Sequence, residues 1–178
     1  MENKDKLTRQ VNKIVQLHLD RALAYQQARS LSTDLTLKRR FEECMQQSYF
    51  FADKLQVSMD LKELATRGRP SLQGVFCRGW MTFRAFLSNR KDIVLLQSCL
   101  AREKKIHLSY ECLCTNKYLD FNYPLLKYTF LQQQFSLKKM WEDLDALVEL
   151  LQPTSSDLME AKPSYSTINS LSQNSSIS

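Results

Sequence analysis

Glycine and proline are scarce, with three and four residues in a chain of 178. An all-β chain needs a turn every ~8–12 residues, so this shortage argues against one. Collagen-like and wholly disordered classes are excluded on the same composition. No uninterrupted apolar run approaches the ~18 residues of a membrane span. The opening Met-Glu-Asn-Lys-Asp-Lys is charged and has no apolar core, so no signal peptide is expected. Five cysteines (44, 77, 99, 112 and 114) are odd in number and scattered. Without an export signal they read as reduced thiols of a cytoplasmic protein. Histidine occurs only twice, as His18 and His107. There is no Glu-x-x-His, no Ser-His-Asp set, no phosphate loop and no dinucleotide fingerprint.

What is present is charge and helical periodicity. The net charge is +6, and the only charges after Leu151 are Asp157, Glu160 and Lys162, so residues 1–151 carry +7. That balance suits an anionic partner, and it also favours solubility. Residues 1–151 read as one helical domain. Residues 152–178 open with Pro153 and are rich in Ser, Thr and Asn. They bury too little apolar surface to offset ordering entropy and are expected to be a disordered tail.

Four long helices follow from the spacing of apolar residues. The first carries Leu7, Val11, Ile14, His18, Ala22 and Tyr25, and Ser30–Asp34 supplies a break with N-cap candidates. The second is expected over about 35–65, with Leu37, Phe41, Cys44/Met45, Ser48, Phe51/Ala52, Leu55 and Met59 on its stripe. Arg67-Gly-Arg-Pro70 ends it. A short helix over 71–87 comes next, with Phe76, Trp80, Phe83 and Leu87 spaced as one stripe that would dock on the longer helices. The third long helix runs from near Asp92 to Thr115 on Leu96, Cys99, Glu103, Ile106, Tyr110 and Leu113. Asn116–Asn122 is a connector. Asn122 is an N-cap candidate, with Pro124 in the first turn of the last helix. That helix reaches Leu151 on Leu126, Phe130, Gln133/Gln134, Leu137, Trp141, Leu144 and Val148. Short loops make hairpins of the first and last pairs. The long connection between helices two and three predicts that those two run parallel.

Gly74-Val-Phe-Cys-Arg-Gly-Trp-Met81, followed by Phe83-Arg84, resembles the signature of a bacterial family of ferritin-like four-helix bundles with no assigned function. Asp20, Tyr25, Asp92, Ile93, Cys99, Glu103, Tyr110, Gln134 and Asp143 match in order. The resemblance spans about residues 8–150 and implies a ferritin-like bundle with a short crossover helix. The chain departs from it at Cys77, which stands for a usual His, and at Gln16, Leu100, Lys104 and Glu142. A role in stress is a loose implication of the same family.

A di-iron centre needs a Glu from each of two helices and Glu-x-x-His from each of the others. Here the interior stripes carry one clear carboxylate, Glu103. Glu103 and His107 share a helix face at i,i+4 and, with His18, are the metal candidates, for iron or zinc. The competing reading pairs Glu103 with His107 near the surface and His18 with a polar neighbour such as Gln134. Cys112-x-Cys114 lacks the second pair a zinc site wants. The binding-surface candidates are Arg67, Arg69, Arg78, Arg84, Arg90 and Lys91, interleaved with aromatics and free of acidic residues from 65 to 91. That surface suits an acidic protein or nucleic acid. Gly74, Gly79 and Trp80 read as a packing motif: close approach for the glycines, buried area for the indole. An exposed apolar side could pair two copies in a homodimer. The preferred expectation is a non-enzymatic binding or structural protein without a cofactor. The alternative is a ferritin-like metal-binding protein or oxidoreductase.

Overall fold

A computed structural model describes residues 2–58, 78, 79, 81–83, 85, 88 and 90–151. The protein is all-α, with no strand among the described residues. Its helices are α1 (Glu2–Leu31), α2 (Leu35–Ser58), α3 (Lys91–Cys114), α4 (Lys117–Asn122) and α5 (Pro124–Leu151). Residues 78, 79, 81–83 and 85 are also helical. The expected continuation of α2 beyond Ser58, Trp80, Phe76, Gly74 and the tail from Gln152 lie outside the described residues.

The turn between α1 and α2 falls where Ser30–Asp34 predicts it. Asp34 caps α2, accepting a hydrogen bond from the Leu37 amide at 2.8 Å. Asp92, in the first turn of α3, ties down the same corner by accepting from Ser32 at 2.6 Å and Thr33 at 3.1 Å. At the other end, Asn116 caps the six-residue α4 through the Tyr118 amide. Asn122 does not cap α5. It ends α4 and its amide donates back to the Tyr118 carbonyl. Pro124 opens α5, where its missing N–H costs no helical bond.

The long-range contacts fix helix directions. Arg29 pairs with Glu42 and Arg21 reaches Ser48, so α2 is antiparallel to α1. Gln10, His18 and Arg21 of α1 and Ser32 just past its end meet Asn116, just past the end of α3, and Tyr110, Glu103 and Asp92 within it, in descending order. That makes α3 antiparallel to α1 as well. Helices α2 and α3 therefore run the same way, as the long connection between them predicted. Helix α5 packs against both, crossing α2 at Gln47–Ser136 and Phe51–Gln133.

Two apolar clusters fill the interior. One joins Val11, Ile14, Phe51, Leu55, Ile106, Leu113, Leu126 and Phe130. The other joins Tyr25, Phe41, Cys44, Met81, Leu95, Leu96, Cys99, Leu144 and Val148. Among the described residues of the crossover segment Met81 and Ala85 are buried, and Phe83 is 52% exposed. Phe83 is thus off the buried face, while the other members of its expected stripe, Phe76, Trp80 and Leu87, lie outside the described residues. The reason lies on α1: the Gln27 side chain donates to the Arg78 carbonyl and the Thr82 hydroxyl, holding the 78–81–82–85 face inward. Trp141 is also off the buried stripe of α5, at 39% exposed, because Leu137 and Leu144 already occupy the inward positions on either side.

Candidate functional site

A polar layer separates the two apolar clusters. His18, Arg21, Ser48, Glu103 and Gln133 are all buried, and they come from α1, α2, α3 and α5. Each sits at a core position of its own helix, so helical packing carries it inside. A charge there must be paired and hydrogen-bonded to be tolerated.

Arg21 is the hub. Its Nε donates to Glu103 Oε1 at 2.6 Å, with both side chains about 98–99% buried. One terminal nitrogen donates to Ser48 Oγ at 2.6 Å and to the Cys44 carbonyl at 3.1 Å; the other donates to Gln47 Oε1 at 3.0 Å. The Gln47 amide continues to Ser136 of α5. The Tyr25 hydroxyl donates to the same Glu103 oxygen at 2.5 Å, and the guanidinium lies 5.1 Å from the Tyr25 ring centre. Burial works to discharge the guanidinium, but Glu103, Tyr25 and Cys44 together outweigh it and raise its pKa. Burial, then the Glu103 charge, pushes the Tyr25 phenol well above its ordinary value. Burial pushes the Cys44 thiol up to about 12, against the pull of Arg21. Cys99 is raised as well, first by burial and then by Cys44. Neither buried thiol is a nucleophile at neutral pH. Glu103 Oε2 is buried without a hydrogen-bond partner among the described residues.

The second arm starts at His18. Tyr110 Oη lies 2.6 Å from His18 Nε2 and donates its only proton to Gln133 Oε1 at 2.5 Å. His18 Nε2 must therefore carry the hydrogen that it gives to Tyr110. That assigns the neutral Nε2–H tautomer and leaves Nδ1 as a bare acceptor. Nδ1 is buried with no hydrogen-bond partner among the described residues. Burial, reinforced by the Arg21 charge, holds the His18 pKa well below 6.5. Gln133 completes the chain by donating to the Phe51 carbonyl at 3.3 Å. Removing the Tyr110 hydroxyl strands both the His18 N–H and the Gln133 oxygen. Tyr110→Phe is expected to cost about 1–3 kcal/mol in urea unfolding, the range for buried unsatisfied groups.

Several expected pairings are corrected. Glu103 and His107 do not meet. His107 pairs with Glu111 at 3.3 Å, one turn further along α3, while Glu103 turns inward to Arg21. His18 bonds Tyr110 and, through it, Gln133 rather than Gln134. The three metal candidates do not converge, and no cluster of three or more His, Cys, Asp or Glu among the described residues could hold a metal ion.

The Arg-rich surface is also altered. Arg78 is turned in, its side chain 15% exposed and 3.9 Å from buried Asp20, because that carboxylate is the nearer counter-charge. Arg90 is exposed at the N-terminal end of α3, and Lys91 is partly exposed. Arg67, Arg69 and Arg84 lie outside the described residues. Gly79 is exposed, and a Cβ there would meet no described atom within 4 Å.

The residue that sequence reasoning misses is Arg21. It lies three residues after His18 and four before Tyr25, so the signal was its fit to the core stripe. No helix among the described residues is long and apolar enough to cross a membrane. Comparison with known proteins finds no matching family model, no matching curated sequence and no matching solved structure.

Proposed function

We propose that this chain is a ferritin-like helical bundle that acts as a non-enzymatic binding or structural protein, with an internal ion pair in place of a di-metal centre. The observation that carries this reading is the Arg21–Glu103 pair at 2.6 Å, buried at mid-height between the two apolar clusters. A di-iron site needs several inward carboxylates to neutralise its cations. Among the described residues the buried carboxylates are Glu103, already neutralised by a tethered guanidinium, and Asp20, which has Arg78 3.9 Å away. The described residues therefore do not fit an iron or zinc centre. The parallel run of α2 and α3 supports the ferritin-like reading of the connection. A location in the cytoplasm and a link to stress remain part of the same proposal. Its binding role rests on the +7 charge of residues 1–151.

Metal analysis tests it. Protein purified without chelator, then supplied with Fe(II) or Zn(II), is expected to retain far less than one equivalent per chain. Its melting temperature should not move. A site filled at ~100 times its Kd would stabilise the fold by about 2.7 kcal/mol, which a thermal melt detects readily. One or two equivalents retained by wild type and lost in Glu103→Gln would favour the metal-binding alternative.

A further inference from the structure

From Tyr128 to Leu137 the chain has no charged residue. Within and beside this stretch the structure leaves large apolar side chains in solvent: Leu125 is 82% exposed, Tyr128 61%, Leu131 45% and Phe135 73%, with Phe121 of α4 at 85%. The spacing 125, 128, 132, 135 places Leu125, Tyr128, Gln132 and Phe135 along one outward face of α5, opposite the buried Leu126, Phe130, Gln133 and Leu137. A helix packed on one side only would carry polar residues there. The nearest flanking charge, Lys127, is paired with Asp120, and the next are Lys138 and Lys139.

We infer that this face is the contact surface of a homodimer, with α5 of one copy packed antiparallel on α5 of another. Three features select a second copy over other occupants. The first is charge. A protein with a body of +7 repels its own copies, so self-association needs a neutral surface, and this one is neutral. An acidic protein or a nucleic acid would be met by cations, and none lies within the stretch. The second is area. At ~150–250 Å² per large side chain, the five exposed residues present roughly 600 Å², close to the ~800 Å² each partner of a standard interface buries. The third is register. An antiparallel pair centred near Phe130 sets Leu125 of one copy against Phe135 of the other, twice by symmetry, with Tyr128 against Gln132. A twofold contact of this isologous kind closes at two chains. The Gln132 amide already donates to the Tyr128 hydroxyl at 2.9 Å within one chain, and both groups stay satisfied at the middle of the contact. This inference does not depend on the reading of the buried ion pair.

Light scattering on a sizing column, run on the full chain, tests it. Wild type is expected at twice the chain mass. Phe135→Glu places a carboxylate in the contact and should give a monomer with unchanged helix content, because the side chain is 73% exposed. Leu125→Lys should also give a monomer. Combining Leu125→Lys with Phe135→Glu puts Lys opposite Glu across both halves and should restore the dimer. A monomeric wild type, or a dimer untouched by Phe135→Glu, would overturn the proposal. Failure of the double variant to recover the dimer would overturn the antiparallel register. A wild-type monomer that floats with anionic lipid vesicles would give the face to a membrane surface instead.

Discussion

Glu103→Ala is expected to destabilise the fold by about 3–5 kcal/mol, measured by urea unfolding at neutral pH. The size follows from burial. An exposed ion pair is worth about 0–1 kcal/mol. Arg21 and Glu103 are 2% and 1% exposed, so removing one leaves the other charged and uncompensated in a low-dielectric interior. The guanidinium cannot escape by losing its proton, because arginine stays charged in proteins even without a partner. Its bonds to Ser48, Gln47 and the Cys44 carbonyl keep it in place without its counter-charge. Arg21→Ala should cost a similar amount, since it strands the Glu103 carboxylate. The informative variant removes both charges. Arg21→Met with Glu103→Leu extends the apolar clusters through the layer and should recover most of the loss. Replacement of a buried pair by apolar residues is often neutral, or stabilising by about 1–4 kcal/mol. A double variant as unstable as either single one would show that the layer stabilises through the whole network rather than by mutual neutralisation. A loss below about 1 kcal/mol for Glu103→Ala would mean that the pair is hydrated, and the reading of a closed centre would fall.

The fold was legible because its stripes are regular. Leu7, Val11, Ile14, Leu37, Phe41, Leu96, Ile106 and Phe130 are each buried where period-3.6 spacing puts them. The parallel run of α2 and α3 followed from loop lengths alone. Glu103 was legible for the same reason, as a carboxylate at a core position. Its partner was not. Positions 18, 21, 25 and 18, 22, 25 fit one helical stripe equally well, and the apolar Ala22 masked the claim of Arg21. Both are buried.

Side-chain direction is the second thing spacing does not determine. Glu103 and His107 lie one turn apart, yet one points inward and the other along the surface to Glu111. Adjacent glutamines differ by ~100° around a helix of 3.6 residues per turn, so choosing Gln134 over Gln133 displaced the His18 network by one position. In the crossover segment Phe83 was expected on the docking face, but Met81 and Ala85 are the described residues that pack with Tyr25, Leu95 and Leu144. A short helix can rotate to suit the core it covers, and Gln27 sets that rotation here.

Acid should unfold this protein through His18 before carboxylate titration dominates. In the unfolded chain the imidazole titrates near its ordinary 6.5, and in the fold its pKa lies well below that. Above pH 6.5 both states hold it neutral, and the full stability is present. As pH falls below 6.5, the unfolded chain takes up a proton that the folded chain refuses. Stability then drops by up to about 1.4 kcal/mol per pH unit until the folded pKa is reached. The structural cause is specific. Nε2 already gives its hydrogen to Tyr110, so an added proton must go to Nδ1, which has no acceptor among the described residues and has Arg21 nearby. The two other groups packed on the ring, Phe51 and Gln133 through Tyr110, offer no negative charge. Urea midpoints measured from pH 7.5 to 5 should therefore decline in wild type. They should stay nearly flat over that window in His18→Phe, whatever the absolute stability of that variant. His107→Gln, which removes the only other histidine, should keep the wild-type slope. If His107→Gln flattens the curve and His18→Phe does not, the buried imidazole is already relieved of its proton penalty. Nδ1 would then have a partner in solution, and the tautomer assigned from the Tyr110–Gln133 bond would be wrong.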